Sequence, residues 1–422
     1  MEIITAVKGF NDILPVDSGK WQYIEGVLKE ILRLYGFKEI RIPIVEKTEV
    51  FSRSIGEATD IVEKEMYTFL DKNGASLTLR PEGTASVVRA FIENSLYNQN
   101  PINKLYYIGP MFRYERPQKG RYRQFHQIGA EIFGAKEPAY DAELLSMLMF
   151  FLKKINLTGL KLQINSLGCE ECRKEYKQAL IKYFSGVKDK LCENCVRRLE
   201  VNPLRILDCK APGCNALKSG APPILEYLCQ GCSDHFTEVK KKLDDLNVPF
   251  NVNEQMVRGL DYYTKTTFEV TTDMLGAQNA VAAGGRYDNL CKQFGGPDVP
   301  SIGFAIGIER LVLLLGENED YKKKPDIFIA TIGAPAKNLS LKIIDKLRRE
   351  GVSCEMEHAE KSLKSQMKSA DKDSFKYVLI IGEDELKSNN AQLRNMATKE
   401  QTDVDIGDVD SAVSKILSFL IL

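Results

Sequence analysis

Hydrophobic and polar positions change their period several times along the chain, and each period predicts a different element. From Trp21 to Tyr35 apolar residues recur at helical spacing, and Gly36 ends that helix. Pro43 cannot donate to a ladder, so its part of the first strand is expected at an edge or an interface. Another helix, which is apolar, is predicted at 141–152. Alternating residues predict strands with separations typical of antiparallel hairpins, at 37–45, 66–70, 76–79, 104–112, 124–133, 250–253, 266–271 and 278–283.

Residues 168–240 have a helical pattern that interrupts this strand-rich part of the chain. They carry eight of the ten cysteines, and strands resume after them. A glycine-punctuated segment at 300–315 then leads into a helix. We therefore expect an α+β domain over residues 1–320, built on a mainly antiparallel sheet, with residues 168–240 as a helical, cysteine-rich insertion.

Beyond a charged linker at 316–325 the pattern changes again. Alternation of strands and helices of this length is typical of α/β units. Residues 326–422 are therefore expected to form a second domain, of the α/β class, with a mainly parallel sheet. Its predicted strands and helices alternate at 327–332, 339–349, 353–357, 362–370, 377–381 and 412–420.

Composition narrows the class of protein. The 422 residues include 58 basic and 58 acidic side chains, so the formal net charge is zero. This balance argues against a surface that is basic overall, and it is compatible with a local basic groove for nucleic acid. No apolar run approaches the ~20 residues of a membrane helix, and the N-terminus lacks the apolar stretch of a signal peptide. We expect a cytoplasmic protein with reduced thiols and no membrane partner.

Common nucleotide-binding and metal-binding patterns are missing from the sequence. It contains neither G-x-x-x-x-G-K-[ST] nor G-x-G-x-x-G after a strand. The three histidines, His126, His235 and His358, are too few and too scattered for a histidine-built metal centre. Any nucleotide chemistry must use another scaffold.

An arginine-rich hairpin loop is predicted between the strands at 104–112 and 124–133. Taken alone, such a loop is explained as a solvated turn. However, Phe112-Arg113-x-Glu115, followed by Gln124-Phe125-His126-Gln127 and Glu131, resembles motif 2 of the class II aminoacyl-tRNA synthetases.

Two more segments resemble the other motifs of this class. The glycine-rich segment 303–310 ends in Glu309-Arg310 and resembles motif 3. On its own it also fits a packed strand–helix corner, but it follows motif 2 in the expected order. The segment 40–46 around Pro43 fits motif 1, which implies a homodimer interface.

Two further segments indicate which synthetases the chain resembles. Residues 258–264 and 283–288 are similar to the histidine-specific signatures of the histidyl-tRNA synthetases, and residues 78–84 and 8–12 match the same family. The resemblance covers essentially the whole chain. It implies a histidine–tRNA ligase that converts ATP, L-histidine and tRNA(His) into histidyl-tRNA, AMP and pyrophosphate. It also implies a class II catalytic domain at 1–320 and an anticodon-binding domain at 326–422.

Two other functions compete with this one. Catalytically inactive relatives serve as regulatory subunits of a histidine-biosynthetic enzyme, but they lose the anticodon domain and the arginine signatures that this chain has. A pure RNA-binding module would leave the histidine-specific segments unexplained. Histidine-dependent exchange between ATP and pyrophosphate distinguishes the ligase from both.

Amino-acid activation needs positioned positive charge more than a base. The carboxylate of histidine is already a nucleophile, so catalysis rests on positioning and on neutralising charge at the phosphates. The resemblance implies that Arg113 holds the α-phosphate and the substrate carboxylate, and that Arg310 holds the γ-phosphate. Arg258 would face the α-phosphate from the other side, Glu115 would join Arg113 and Arg310 in binding ATP, and Mg²⁺ would accompany the ATP.

The resemblance also implies residues for the other two substrates. Glu131 and Tyr263 would bind the two imidazole nitrogens, while Tyr262 would lie beside them. The α-amino group of histidine and the tRNA acceptor end would contact residues of two further sets. These are Glu82, Gly83, Thr84 and Gln127 for histidine, and Arg116, Gln118 and Arg121 for the acceptor end.

The cysteines of the insertion have the spacing of zinc sites. C-x-x-C pairs are typical of structural zinc, and eight cysteines suffice for two Cys₄ sites. The pairs first expected to meet are Cys192 with Cys195 and Cys229 with Cys232, for which Cys209 and Cys214 could substitute. The alternative is that all eight remain free thiols. The resemblance to the synthetases does not decide between zinc sites and free thiols.

Overall fold

The computed structural model describes residues 3–56, 59, 61–276, 279–316, 321 and 324–420. It divides the chain into two compact units, residues 1–317 and 318–422. Most of the linker predicted at 316–325 lies outside the described residues, as does Gln278. No helix among the residues described is long and apolar enough to cross a membrane.

The helices of the first unit are α1 (Pro15–Leu34), α2 (Thr48–Ile55), α3 (Thr84–Glu93), α4 (Pro138–Lys154), α5 (Glu170–Ser185), α6 (Glu193–Val201), α7 (Pro212–Lys218), α8 (Gln230–Asp245), α9 (Leu290–Gln293) and α10 (Ile308–Leu314). Its strands are β1 (Lys38–Glu39), β2 (Val45–Lys47), β3 (Tyr67–Leu70), β4 (Ser76–Leu79), β5 (Asn103–Phe112), β6 (Gln124–Phe133), β7 (Leu160–Ser166), β8 (Asn251–Val252), β9 (Thr264–Thr272), β10 (Ala280–Arg286) and β11 (Ser301–Gly307). Helix α1 begins six residues before the predicted start because Pro15 suits the first helical turn.

Eight strands form the large sheet, in the order β1-β5-β6-β11-β10-β9-β7-β8. Five of the seven pairings are antiparallel, and only β1 with β5 and β7 with β8 run parallel among the strands described. The mainly antiparallel sheet is thus confirmed, and the hairpin of β5 and β6 lies near one edge of it, beside β1. Strand β7 was not predicted, although its residues alternate.

The single strand predicted at 37–45 is wrong. Residues 38–39 pair with β5, whereas 45–47 belong to a separate three-stranded sheet of order β2-β4-β3. Between them, the buried guanidinium of Arg80 donates from Nη1 to the carbonyls of Ile42 (2.6 Å) and Pro43 (3.1 Å). Because these carbonyls are bonded to a side chain and Pro43 has no N–H, this stretch does not join a ladder.

Between β7 and β8 the described chain forms helices and short turns. Helices α5, α6, α7 and α8 lie here, which confirms the helical character of the predicted insertion. Apolar residues of α5 and α6 and three of the insertion's cysteines, Cys195, Cys209 and Cys214, belong to the same core as residues of the large sheet. The insertion is therefore packed against the rest of the first unit and does not extend away from it.

The second unit alternates strands and helices at its start. Its strands are β12 (Ile327–Thr331), β13 (Cys354–Met356), β14 (Tyr377–Ile381), β15 (Asn390–Asn395) and β16 (Gln401–Asp405), and its helices are α11 (Ala334–Arg349), α12 (Leu363–Lys372), α13 (Glu383–Ser388) and α14 (Val409–Leu420). The sheet order is β13-β12-β14-β15-β16. The first two pairings are parallel and the last two antiparallel, so the sheet is mixed and not mainly parallel. Strands β15 and β16 are too polar to have been predicted.

Candidate active site

A cavity of about 440 Å³ lies against strands β6, β9, β10 and β11. Its walls also include the loop after β5, the segment before β9 and the start of α10. Two insertion residues, Asp208 and Lys210, line it as well. The site thus collects residues from segments that are distant in sequence.

Three arginines predicted to be catalytic meet at this cavity. Arg113, Arg258 and Arg310 all line it. Nε of Arg113 donates to the carbonyl of Pro81 (2.8 Å), and Nη1 of Arg310 donates to the carbonyl of Ala280 (2.5 Å). Each guanidinium therefore keeps donors for a ligand while backbone contacts fix its position.

The electrostatics of these arginines favour an anion. Burial lowers the pKa of Arg113, and burial followed by the charges of Arg121 and Arg113 lowers the pKa of Arg310. The positive charge of Arg310 is thus opposed by its two arginine neighbours. A polyphosphate would relieve this repulsion, because forked guanidiniums match phosphate oxygens.

Glu82 is placed by the N-terminus of α3. Its Oε2 accepts from the backbone N–H of Thr84 (2.7 Å), and its Oε1 accepts from that of Ala85 (2.8 Å). Burial raises the pKa of Glu82, and these two donors oppose that rise. The carboxylate lines the cavity and retains lone pairs, so it can also accept from a cationic amine.

Gln127 and the paired tyrosines line the same part of the cavity. Oε1 of Gln127 is buried and has no hydrogen-bond partner among the described residues. The rings of Tyr262 and Tyr263 lie 4.7 Å apart, and burial raises the pKa of Tyr263 to about 12. A buried acceptor without a donor is costly, so Gln127 indicates a place for a ligand N–H.

Glu131 lies behind this wall and is not among the described residues that line the cavity. It accepts from the hydroxyls of Thr84 (Oε1, 2.8 Å) and Tyr287 (Oε2, 2.6 Å). Burial raises its pKa to about 8. Gly303 makes room for it, because a Cβ there would overlap the carboxylate.

Gly83 also lies outside the lining, and its role is steric. A Cβ at Gly83 or at Gly129 would overlap the ring of Tyr107. The hydroxyl of Tyr107 is buried and has no partner among the described residues. Sequence reasoning missed Tyr107 and Tyr287, and the glycines around Tyr107 were the available signal.

The motif 2 loop is divided between the cavity and solvent. Glu115 lines the cavity and forms an ion pair with Arg121, which lines it too. Arg116 and Gln118 are exposed and do not belong to the lining described. Of the three residues predicted for the tRNA acceptor, only Arg121 therefore lines the cavity together with Arg113 and Arg310.

The cysteines form two clusters, and the expected first pairing is wrong. Cluster A is Cys169, Cys172, Cys229 and Cys232, and cluster B is Cys192, Cys195, Cys209 and Cys214. Within each cluster the four sulfurs lie within 4.8 Å of one another. The pair Cys192/Cys195 does not meet Cys229/Cys232, because α5 and α8 bring the two ends of the insertion together. None of the ten cysteines forms a disulfide.

Comparisons with known proteins agree across the whole chain. The family model of histidyl-tRNA synthetase matches residues 9–174 and 206–311, and that of the anticodon binding domain matches 326–416. The histidine–tRNA ligase of Syntrophotalea carbinolica is 53% identical over 97% of this chain and 98% of its own. The histidine–tRNA ligase of Geobacter metallireducens is 55% identical over 95% of this chain and 97% of its own. The apo histidyl-tRNA synthetase of S. aureus is 40% identical, with a TM-score of 0.82, over 98% of this chain and all of its own.

Proposed function

The chain belongs to the histidyl-tRNA synthetase family and is a histidine–tRNA ligase, and we propose that Arg113, Arg258 and Arg310 carry its activation step. The observation that supports this is the meeting of three guanidiniums at one cavity that also holds Glu82 and Gln127. The histidine carboxylate attacks the α-phosphorus of ATP, and pyrophosphate leaves. No base is needed, since the nucleophile is already ionised.

Each arginine has a separate task in this proposal. Arg113 holds the α-phosphate and the histidine carboxylate together, which aligns the reacting atoms. Arg310 holds the γ-phosphate, and Arg258 balances charge that develops at the α-phosphate. Mg²⁺ enters with ATP and supplies further neutralisation of the phosphates. The carboxylates of Glu115 and Glu269 line the cavity and could bind Mg²⁺, but each is ion-paired with an arginine. Phosphate oxygens would therefore supply most of the Mg²⁺ ligands.

Histidine is bound through both of its ends. Glu82, Gln127 and Thr84 are proposed to surround the α-amino group, with Glu82 opposing its positive charge. Tyr263 donates to one imidazole nitrogen. Glu131 is proposed to lie on the side of the other nitrogen, behind the cavity wall, where it accepts from the hydroxyls of Thr84 and Tyr287. Tyr262 packs beside the ring, and Gly83 leaves space for Tyr107 beneath.

tRNA(His) is proposed to contact both units. The exposed Arg116 and Gln118, with Arg121 behind them, would bind the acceptor end beside the adenylate. Residues 326–422 would bind the anticodon, which is the activity that the matching domain's description names. We also propose a homodimer through the region 40–46, as the motif 1 resemblance implies.

The two cysteine clusters are proposed to hold structural Zn²⁺. Zn–S bonds of ~2.3 Å in a tetrahedron place sulfurs about 3.8 Å apart. Sγ of Cys169 lies 3.5 Å from that of Cys172 and 3.9 Å from that of Cys229, and Sγ of Cys192 lies 3.9 Å from that of Cys209. Four thiolates leave no open coordination position, so these sites would be structural and not catalytic.

The test is histidine-dependent exchange of pyrophosphate into ATP, without tRNA. The ligase should exchange only when histidine is present, and Arg113→Ala should abolish most of the exchange. A regulatory relative would show none. Absence of exchange in folded, dimeric protein would contradict the proposed activation step.

A further inference from the structure

Two arginines of the insertion bind the segment that carries Arg258. We define residues 258–263 as the histidine segment. Nη2 of Arg205 donates to the carbonyl of Gly259 (2.7 Å), and its Nε lies 3.3 Å from Oδ1 of Asp261. Nη1 of Arg173 donates to the carbonyl of Tyr263 (3.1 Å). The histidine segment is therefore held at its beginning, middle and end from the insertion.

Each of these arginines is adjacent to a cysteine cluster. Arg173 directly follows Cys172 of cluster A, at the start of α5. Arg205 lies four residues before Cys209 of cluster B, in a short turn at Pro203–Ile206. A change at either cluster would thus move an arginine that contacts the histidine segment.

Cluster B also reaches the cavity directly. Cys209 is flanked by Asp208 and Lys210, and both line the cavity. Residues 207–211 form neither a helix nor a strand. The stretch is held by turn hydrogen bonds from the N–H groups of residues 207–209 to the carbonyls of residues 204–206, and by burial of Leu207 and Cys209.

The thiols accept backbone donors as metal-bound thiolates do. The N–H of Cys229 donates to Sγ of Cys172 (3.1 Å), and the N–H of Cys192 donates to Sγ of Cys214 (3.2 Å). Hydrogen bonds of this kind orient the ligands of a metal site and stabilise their charge. They connect the N-termini of α8 and α6 to the clusters.

From these contacts we infer that metal binding at clusters A and B positions the histidine segment through Arg173 and Arg205, which act as positioning residues for histidine activation. The inference rests on the proposed function and on Zn²⁺ as the metal. It assigns the insertion a part in the chemistry although no catalytic residue lies within it. The metal never contacts substrate; it fixes the two arginines and, at cluster B, the wall formed by Asp208 and Lys210.

The first experiment separates positioning from general stability. Arg205→Ala should raise the KM for histidine and lower kcat/KM by ~10–100-fold, the size expected when reacting groups are slightly misplaced. The KM for ATP should change by less than about twofold, because Arg113 and Arg310 are held elsewhere. Arg205→Lys should recover only part of the loss, since it keeps the charge but not the fork.

The matched control is Arg197→Ala. Arg197 lies on α6 in the same insertion and pairs with Glu63 (2.9 Å), and its described side-chain contacts include no residue of the histidine segment. Its kinetics should equal those of the wild type. If Arg205→Ala, folded by circular dichroism, keeps the wild-type KM for histidine, the positioning role is wrong.

The second experiment tests the metal. Full-length protein purified without chelator or affinity metal should contain two zinc ions per chain, one for each cluster. Cys209→Ser should lose one of them and show the same rise in KM for histidine as Arg205→Ala. Cys354→Ser, at a buried cysteine outside both clusters, should keep both zinc ions and normal kinetics.

The outcomes distinguish this inference from the function it rests on. If the wild-type protein contains no zinc, the proposed metal binding is wrong. If Cys209→Ser has one zinc ion and an unchanged KM for histidine, metal binding does not position the histidine segment. In both cases exchange itself continues. Loss of histidine-dependent exchange from zinc-loaded wild-type protein would instead contradict the proposed function.

Discussion

Nη1 of Arg258 lies 3.2 Å from Oε1 of Glu269, and both side chains line the cavity. The carboxylate opposes the charge of the guanidinium and raises its pKa against the effect of burial. The centre of the Tyr263 ring lies 6.0 Å from the guanidinium carbon. Arg258 is thus oriented before ATP arrives, as expected of a group that stabilises a transition state.

Replacing Arg258 by alanine should therefore affect the rate more than binding. We expect kcat for pyrophosphate exchange to fall by ~10²–10³-fold, with a smaller change in the KM for histidine. Steady-state exchange with varied histidine measures both. An unchanged kcat would show that Arg258 has no catalytic role.

The hydroxyl of Tyr263 should matter for histidine and not for ATP. Tyr263→Phe leaves one imidazole nitrogen without its partner, which should cost about 1–3 kcal/mol of histidine affinity. Calorimetric titration of each substrate alone provides the comparison. Equal weakening of ATP binding would mean that Tyr263 has been assigned to the wrong pocket.

Glu131 should give the protein a pH-dependent stability. Burial raises its pKa from the ordinary 4.5 to about 8 in the folded state, so between these values the folded chain holds a proton that the unfolded chain has released. The unfolded state binds fewer protons in this range, and the free energy of unfolding therefore decreases as pH rises from about 4.5 to about 8.

Glu131→Gln removes this titration and supplies the reference. Thermal melts of both proteins across the range should show the wild-type melting temperature falling relative to that of the variant. If the melting temperatures of the two proteins change with pH in parallel, the pKa of Glu131 is the same in the folded and the unfolded state, which contradicts the prediction. Other titrating groups are common to both proteins and cancel in the difference.

Exposed apolar residues of the three-stranded sheet should form a homodimer interface. Ile44 and Val45 are exposed at one side of it, and Phe69 and Leu70 at the other, with Leu70 70% exposed. Exposed apolar side chains on both edge strands of a small sheet are typical of an interaction surface. Sedimentation should give twice the chain mass of 47.6 kDa.

Charge placed in this patch should separate the subunits. Val45→Glu and Leu70→Glu should sediment as monomers, whereas Leu341→Glu, at an exposed leucine of the second unit, should remain dimeric. A wild-type monomer that is active would contradict the proposal.

Local signals explain which parts of the fold could be predicted. Strands β4 and β6 have the predicted bounds, and the residues of β4 alternate between polar side chains and leucine. The stretch around Pro43 could not be predicted, since its carbonyls are taken by Arg80, a residue 37 positions further along the chain. Strands β15 and β16 are polar and pair antiparallel, which the preceding alternation of strand and helix does not indicate.

The candidate site shows the same division. The motifs identified the three arginines, and the structure brings all three to one cavity. Cysteine spacing identified C-x-x-C pairs but could not decide which pairs meet, because α5 and α8 determine that. Arg205 carried no signal at all. An arginine in a short turn is usually solvated, and only the fold shows that this one is buried against Asp261.

Cluster A closes the insertion where the chain enters and leaves it. Cys169 and Cys229 lie 60 positions apart with their sulfurs at 3.9 Å, so the intervening chain is a loop anchored at one point. The cost of closing a flexible loop grows only slowly with its length. The match to the family model is interrupted between residues 174 and 206, inside this loop. The middle of the insertion can thus change in length without shifting β7, provided that Arg205 and the four cysteines of cluster B are kept.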